Sequence, residues 1–337
     1  MLSTRRKTPI SMERKTEEEI VEMTHFAVRA YERTGPLWDQ YLNIRALRWN
    51  EDEVSLKGDK EDWVSLNKEE QNFLKHVLSF FANADGLVNA NLTENFMREV
   101  DEKAALFFYA EQIAMENVHS IMYAQLIENL VPTVEEQNAL FLSVLHMPAV
   151  QRKMQWAQKW KDPAVATYPE RLLAYILVEG VMFSASFAAI RWVNHHHKKL
   201  PGLAKSNEFI SRDEHLHCKF GCTMYKRLSE KLPKERVLEI VHEAVECELS
   251  FVDEALPTSL RGMDAESMKH HVKFCANAIL CEIDHPVLYK DALQSPFKWM
   301  KDWSLEGKGN FFEERISEYA KADHAVDEGT FEPTLDF

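Results

Sequence analysis

Four acids and two histidines stand in sequence contexts where charge is costly. Asp85 follows the apolar run Phe80-Phe81-Ala82, and Glu116 and His119 lie in Gln-Ile-Ala-Met-Glu-Asn-Val-His. Glu179 interrupts an almost uncharged stretch, and Glu214 and His217 belong to Ser-Arg-Asp-Glu-His-Leu-His. An unpaired carboxylate on an apolar helix face costs several kcal/mol, so each of these acids must be protonated, salt-bridged or metal-bound. The spacing Glu-x-x-His favours metal, because i and i+3 share a helix face and one turn offers a carboxylate oxygen beside an imidazole.

The motif alone is weak, since it occurs five times among 14 histidines: at Glu22–His25, Glu116–His119, Glu214–His217, Glu239–His242 and Glu282–His285. The first falls in an acidic N-terminal stretch, the fourth in a charge-rich amphipathic helix, and the fifth runs into Pro286. Those three read as structural. The pairs at 116 and 214 sit in apolar surroundings. With Asp85 and Glu179 they complete one acid from each of two helices and a Glu-x-x-His from each of two more, the ligand recipe of a four-helix dinuclear carboxylate site. Four carboxylates balance two divalent ions, and two trivalent ions with one oxo bridge balance them again after oxidation. Oxygen donors with two imidazoles suit iron or manganese better than zinc.

Tyr123 extends the ligand face, because Glu116, His119 and Tyr123 stand at i, i+3 and i+7. It reads either as core packing or as a redox-active phenol. Phe183 and Phe187 lie one and two turns beyond Glu179 and could form an apolar wall around such a phenol, or ordinary core.

Positioning these residues requires helices. Asn67 and Glu70 form a capping box that opens a helix through Phe73, Val77, Phe80, Phe81 and Ala84. A second begins near Asp101, passes through Phe107, Phe108, Ile113, Val118 and Met122, and ends at Pro132. Others are expected over about 134–160, 170–198, 207–231, 234–256 and 264–281, with Pro201-Gly202 and Pro257 marking loops. His195–His197 is expected to be a solvated helix end, favourable near the C-terminal dipole. From about Ser304 the composition turns to Gly, charge and then a short acidic end, which predicts one helical domain with a flexible C-terminal tail.

Composition agrees. Only 10 Gly and 12 Pro in 337 residues argue for long helices over a turn-rich β fold. The net charge of 40 − 54 = −14 argues against nucleic acid as a partner. Cys218, Cys222, Cys247, Cys275 and Cys281 build neither a disulfide framework nor a zinc knuckle, and with no signal-peptide pattern they predict a reducing, cytoplasmic compartment. The stretch Leu172–Val193 is long enough to span a bilayer, but Glu179 inside it argues for the buried centre of a helical bundle and against a membrane.

Four segments carry a resemblance. Phe-Phe-Ala-Asn-Ala-Asp-Gly-Leu-Val-Asn (80–89), Ile-Ala-Met-Glu-Asn-Val-His-Ser-Ile-Met-Tyr (113–123), Val-Glu-Gly-Val-Met-Phe-Ser-Ala-Ser-Phe (178–187) and Ser-Arg-Asp-Glu-His-Leu-His-Cys (211–218) are similar to the small, radical-generating subunit of class I ribonucleotide reductase, eukaryotic type. The resemblance covers about 30–337 and implies an all-α, ferritin-like helical bundle over 26–303. It also implies that the flexible tail over 304–337 docks on the large subunit, and residues 1–25, ahead of the matched region, are expected to be a mobile N-terminal extension.

By the same resemblance, Asp85, Glu116, His119, Glu179, Glu214 and His217 match the iron ligands and Tyr123 the radical tyrosine. Trp49 matches the tryptophan that joins His119 and Asp213 in a route for electron and proton movement. Tyr319 matches the tail tyrosine that relays oxidation to the large subunit, with Phe331 and Phe337 as docking anchors. The implied activity is that of a ribonucleoside-diphosphate reductase subunit, an oxidoreductase component. Its di-iron centre reacts with O2, stores a tyrosyl radical and passes it to the large subunit, and manganese could take the same ligands. A homodimer is implied as well.

Two alternatives share the cage. A ferritin-like ferroxidase would have no use for Tyr123, Trp49 and a docking tail together. A di-iron oxygenase would need an open substrate channel. His215 stands where the family usually has a small residue, and Pro333 departs from the commonest eukaryotic-type ending.

Overall fold

The computed structural model describes residues 27–256, 260, 262–297 and 299. The expected N-terminal extension and docking tail, with Tyr319, Phe331 and Phe337, lie outside the described residues, as do Pro257 and the pair Glu22–His25. Among the described residues the architecture is helical throughout, with one isolated bridge between Leu260 and Met263.

Two short helices, α1 (Pro36–Ala46) and α2 (Asp59–Val64), precede the long ones. Helix α3 (Lys68–Asn91) starts as the capping box requires. The Glu70 N–H donates to Asn67 Oδ1 at 2.9 Å and the Asn67 N–H donates to the Glu70 carboxylate at 3.0 Å. Helix α4 (Lys103–Leu130) ends two residues before Pro132.

The helix expected over 134–160 is instead two, α5 (Val134–Phe141) and α6 (Pro148–Lys159), separated by a tight turn at Ser143–Leu145. The cause is Pro148. It has no N–H to give and occupies the first position of α6, where none is needed. Pro201-Gly202 differs from expectation in the same way. It opens α9 (Pro201–Lys226) and is not a loop, because the Asp59 carboxylate accepts from the N–H groups of Gly202 and Leu203 at 2.9 and 2.7 Å. That cap comes from α2, more than 140 positions away in the chain.

The apolar stretch forms α7 (Tyr168–Leu177), a π-helical turn (Val178–Met182) and α8 (Ser184–His197). This span is long and apolar enough to cross a bilayer, and its apolar window is entirely buried inside the molecule. Helices α10 (Lys234–Ala255) and α11 (Ala265–Glu282) complete its cover. The C-terminal end of α8 is packed, not solvated as expected. The His195 ring stacks on Trp299 at 5.7 Å, and His197 Nε2 lies 3.0 Å from a Glu70 carboxylate oxygen.

Candidate metal centre

Four helical elements converge on one buried cluster. Helix α3 brings Asp85, α4 brings Glu116, His119 and Tyr123, the π turn brings Glu179, and α9 brings Asp213, Glu214 and His217. All six expected ligands are exposed by 3% or less. Single π turns concentrate at functional sites because they re-aim a side chain without ending the helix. Here Gly180 lets the widened turn press against its neighbours. A Cβ at that position would lie 2.5 Å from Ile279 Cδ1 and 2.7 Å from Cys218 Sγ.

Glu116 and Glu214 each offer one oxygen to each imidazole. His119 Nδ1 lies 3.2 Å from Glu116 Oε2 and 3.0 Å from Glu214 Oε1, and His217 Nδ1 lies 3.2 Å from Glu116 Oε1 and 2.8 Å from Glu214 Oε2. Ligand atoms fall into two groups, each within 4.8 Å: Glu116, Glu179, Glu214 and His217 in one, Asp85, Glu116 and His119 in the other. Glu116 belongs to both. The sequence alone does not point to Gln112, one turn before Glu116, whose amide donates to Glu116 Oε1 at 3.2 Å and Glu179 Oε1 at 3.0 Å. Tyr175 in turn donates to Gln112 Oε1 at 2.7 Å, which fixes the amide's orientation.

The electrostatics describe a site built for positive charge. Burial, then the neighbouring Glu116, pushes Asp85 well above the usual carboxylate range, and burial and Glu214 do the same to Glu179. Burial alone would strip the proton from His119, but the acceptors Asp213, Glu116 and Glu214 outweigh it and hold the imidazole well above its ordinary value. His217 rises to about 9 because Glu214 likewise outweighs burial. Burial acts to raise Glu214, yet His217 and His119 hold it below the usual range. Protons thus stand in for cations among four acids. Both oxygens of Asp85 and Oε2 of Glu179 are buried with no hydrogen-bond donor. Buried acceptors of this kind need a partner, and a pair of divalent metal ions would supply it. The residues therefore fit a dinuclear centre.

Tyr123 is buried beside this cage. Burial, then Asp85, pushes its phenol well above the ordinary value, so it stays protonated. Its direct aromatic neighbour is Phe81, stacked at 4.6 Å with 4° between planes. Phe183 and Phe187, expected to form the wall, stand behind Phe81 at 5.5 and 5.0 Å from it. Phe81 lies one turn before Asp85, as Gln112 lies one turn before Glu116. An i−4 neighbour of a ligand was the available signal for both.

On the opposite side of His119, a single oxygen joins three elements. Asp213 Oδ2 accepts from Trp49 Nε1 at 2.7 Å and lies 3.2 Å from His119 Nε2. Arg212 holds the other carboxylate oxygen through Nε at 3.1 Å and Nη2 at 2.9 Å. His215 makes a hydrogen bond to the Ser211 carbonyl at 2.9 Å and contributes to neither donor group. The structural reading of two other Glu-x-x-His pairs agrees with their contacts: Glu282 pairs with Lys226 at 2.8 Å, and His242 is exposed on α10.

A model of the family described as "Ribonucleotide reductase, small chain" matches residues 33–296. The ribonucleoside-diphosphate reductase small chain of Spisula solidissima is 45% identical over 288 residues, covering 85% of this chain and 73% of that one. The human ribonucleoside-diphosphate reductase subunit M2 is 45% identical over 285 residues, covering 85% and 72%. Among solved structures, the ribonucleotide reductase Rnr4 homodimer of Saccharomyces cerevisiae superposes with a TM-score of 0.72 at 26% identity, covering 88% of each chain. The fold is that family's ferritin-like helical bundle. Sequence, fold and cage agree, and the chain belongs to the small-chain family of ribonucleotide reductases, the metal-binding half of the two-subunit enzyme ribonucleoside-diphosphate reductase.

Proposed function

We propose that this subunit stores a one-electron oxidising equivalent on Tyr123 and delivers it to the large subunit, where ribonucleotides are reduced. The observation that carries the reading is one continuous buried assembly. The two donor groups share Glu116, Tyr123 lies one turn beyond His119 against Phe81, and the Trp49–Asp213–His119 connection leads away from the cage. Asp85, Glu116, His119, Glu179, Glu214 and His217 would hold two iron ions, and manganese could take the same donors. Iron held there would supply, with O2, the oxidising power needed to take one electron from the phenol.

The chain's own residues set the conditions. Burial and the adjacent Asp85 keep the Tyr123 proton in place, so loss of an electron must be accompanied by loss of that proton. Phe81, backed by Phe183 and Phe187, excludes water from the ring. Asp213 orients the His119 imidazole through Nε2 and leaves Nδ1 facing the carboxylates. Because the same oxygen accepts from Trp49, a proton shift at His119 is felt at the indole and couples electron to proton movement there.

Tyr319 would continue the route, and Phe331 and Phe337 would anchor the 304–337 tail to the large subunit, with 1–25 as an extension outside the 26–303 helical domain. The Rnr4 structure is a homodimer, and we assign the same state here. The described cysteines are all free, in keeping with a reducing cytoplasm.

The test is electron paramagnetic resonance of metal-free protein reconstituted with ferrous iron and air, beside Tyr123→Phe. A tyrosyl signal in the parent and none in the variant is expected. Iron oxidation without a radical in either protein, repeated with manganese, would move the reading to a ferroxidase.

A further inference from the structure

Lys153, on α6, has no solvent exposure. Its ammonium donates to the Met182 carbonyl at 2.6 Å and forms an ion pair with Glu248 Oε2 at 2.6 Å, and it lies 3.3 Å from the centre of the Phe80 ring and 4.1 Å from that of Phe251. Glu248, on α10, is equally buried, and its other oxygen accepts from the Ala185 N–H at 3.2 Å. Burial pushes the Lys153 amine down to about 8, even with Glu248 opposing the shift.

The two backbone groups held by this pair, the Met182 carbonyl and the Ala185 N–H, flank Phe183 and Ser184. Met182 ends the π turn, Ser184 begins α8, and Phe183 between them belongs to neither, with φ −94° and ψ −13°. One side chain grips a carbonyl before the break and the other an N–H just after it. Glu179 lies three residues upstream in the same turn, and Phe183 packs on Phe81, the ring stacked on Tyr123. Phe80, under the ammonium, is the chain neighbour of Phe81 and lies 5.6 Å from Phe183.

Stability does not require such a pair. A buried ion pair replaced by apolar residues of similar volume is often neutral or stabilising, so its use must be sought in the directions its bonds fix. We propose that Lys153 and Glu248 form a clamp of positioning residues. They hold the junction between the π turn and α8 so that Glu179 faces Glu116, Glu214 and His217, and they thereby set the affinity of that metal position. The clamp rests on the dinuclear reading of the site.

The experiment is Mn(II) titration of the metal-free full-length protein, followed by equilibrium dialysis and electron paramagnetic resonance, for the parent and for Lys153→Met/Glu248→Leu. Circular dichroism and thermal unfolding report the fold, and Val237→Ala, a cavity variant at the far end of α10, controls for general destabilisation. The parent and the control should bind two equivalents and show a spin-coupled pair. The double variant should keep one equivalent at parental affinity and lose about 10- to 100-fold on the other, with a mononuclear signal in place of the pair. Two equivalents at parental affinity in a folded double variant would overturn the clamp alone. Fewer than two in the parent would overturn the dinuclear reading and the clamp with it. Should the double variant not fold, Glu248→Gln removes the charge opposite Lys153 and keeps an acceptor for Ala185. Weakening confined to one equivalent is then expected, and unchanged binding overturns the proposal.

Discussion

Raising the pH of the metal-free protein should destabilise it through the histidines of the cage. His217 has an ordinary pKa of 6.5 and is held at about 9 by Glu214 and Glu116 against the opposing effect of burial. Below 6.5 the folded and unfolded chains both carry this proton, and its stabilisation is fully present. Between 6.5 and about 9 only the folded chain retains it, so stability falls as pH rises and the contribution is gone above about 9. At about 1.4 kcal/mol per pH unit, the loss from this residue is about 3 kcal/mol. His119 is raised as well, and the raised carboxyls of Asp85 and Glu179 act in the same sense.

Urea unfolding in the presence of a chelator, at about pH 6 and about pH 9.5, measures the difference directly. His217→Gln should lessen it by about 3 kcal/mol, the share of this side chain, and leave what His119 and the raised carboxyls contribute. Metal loading should reverse the trend, since bound ions displace the protons and metal affinity grows with pH. A metal-free stability that is constant or rises over this range would refute the account of the cage as proton-filled. A His217→Gln variant that falls as steeply as the parent would refute it equally.

Asp213→Asn should retain the metals and the Tyr123 radical but lower reductase turnover with the large subunit by about 10- to 150-fold, the worth of a hydrogen bond to a charged group, as measured by deoxyribonucleotide formation. Phe81→Ala should cost about 3–5 kcal/mol in thermal or urea unfolding and hasten decay of the radical signal, because the ring stacked on Tyr123 is lost to a cavity. Removing Phe331–Phe337 should abolish reductase activity while metal content and radical yield stay at parental levels. Any loss of the metal centre on that deletion would contradict a role confined to docking.

The ligand set was legible because its chemistry is local. Glu116 with His119, and Glu214 with His217, declare themselves by i, i+3 spacing, and Asp85 and Glu179 by being charged amid apolar residues. Tyr123 follows from the same periodicity. Contacts between distant segments left no such trace. Asp213 meets Trp49 across 164 positions, and only the family resemblance pointed to that pair. Asp59 caps α9 from 143 positions away, so Pro201 looked like a loop where it is a helix start. The Lys153–Glu248 pair joins two expected helices, 134–160 and 234–256, with no spacing signal to link them. Phe81 was visible as core but not as the ring against Tyr123, since choosing among Phe80, Phe81, Phe183 and Phe187 requires the inter-helix geometry.

The apolar span Tyr168–His197 has a consequence for how the chain is made. Much of its cover comes from α9, α10 and α11, which are all synthesised after it. Once His197 has been added, 85 further residues are needed to reach Glu282, the end of α11. At about 5–20 residues per second the ribosome needs roughly 4–17 s to supply them. For that interval a segment of bilayer-spanning length and apolarity waits without its shelter, competent to bind a chaperone or to be captured by a targeting factor. Glu179 and Arg191, the two charges within Leu172–Val193, count against capture while the wait lasts. The acid that would later hold a metal would thus first help to keep the nascent chain out of the membrane.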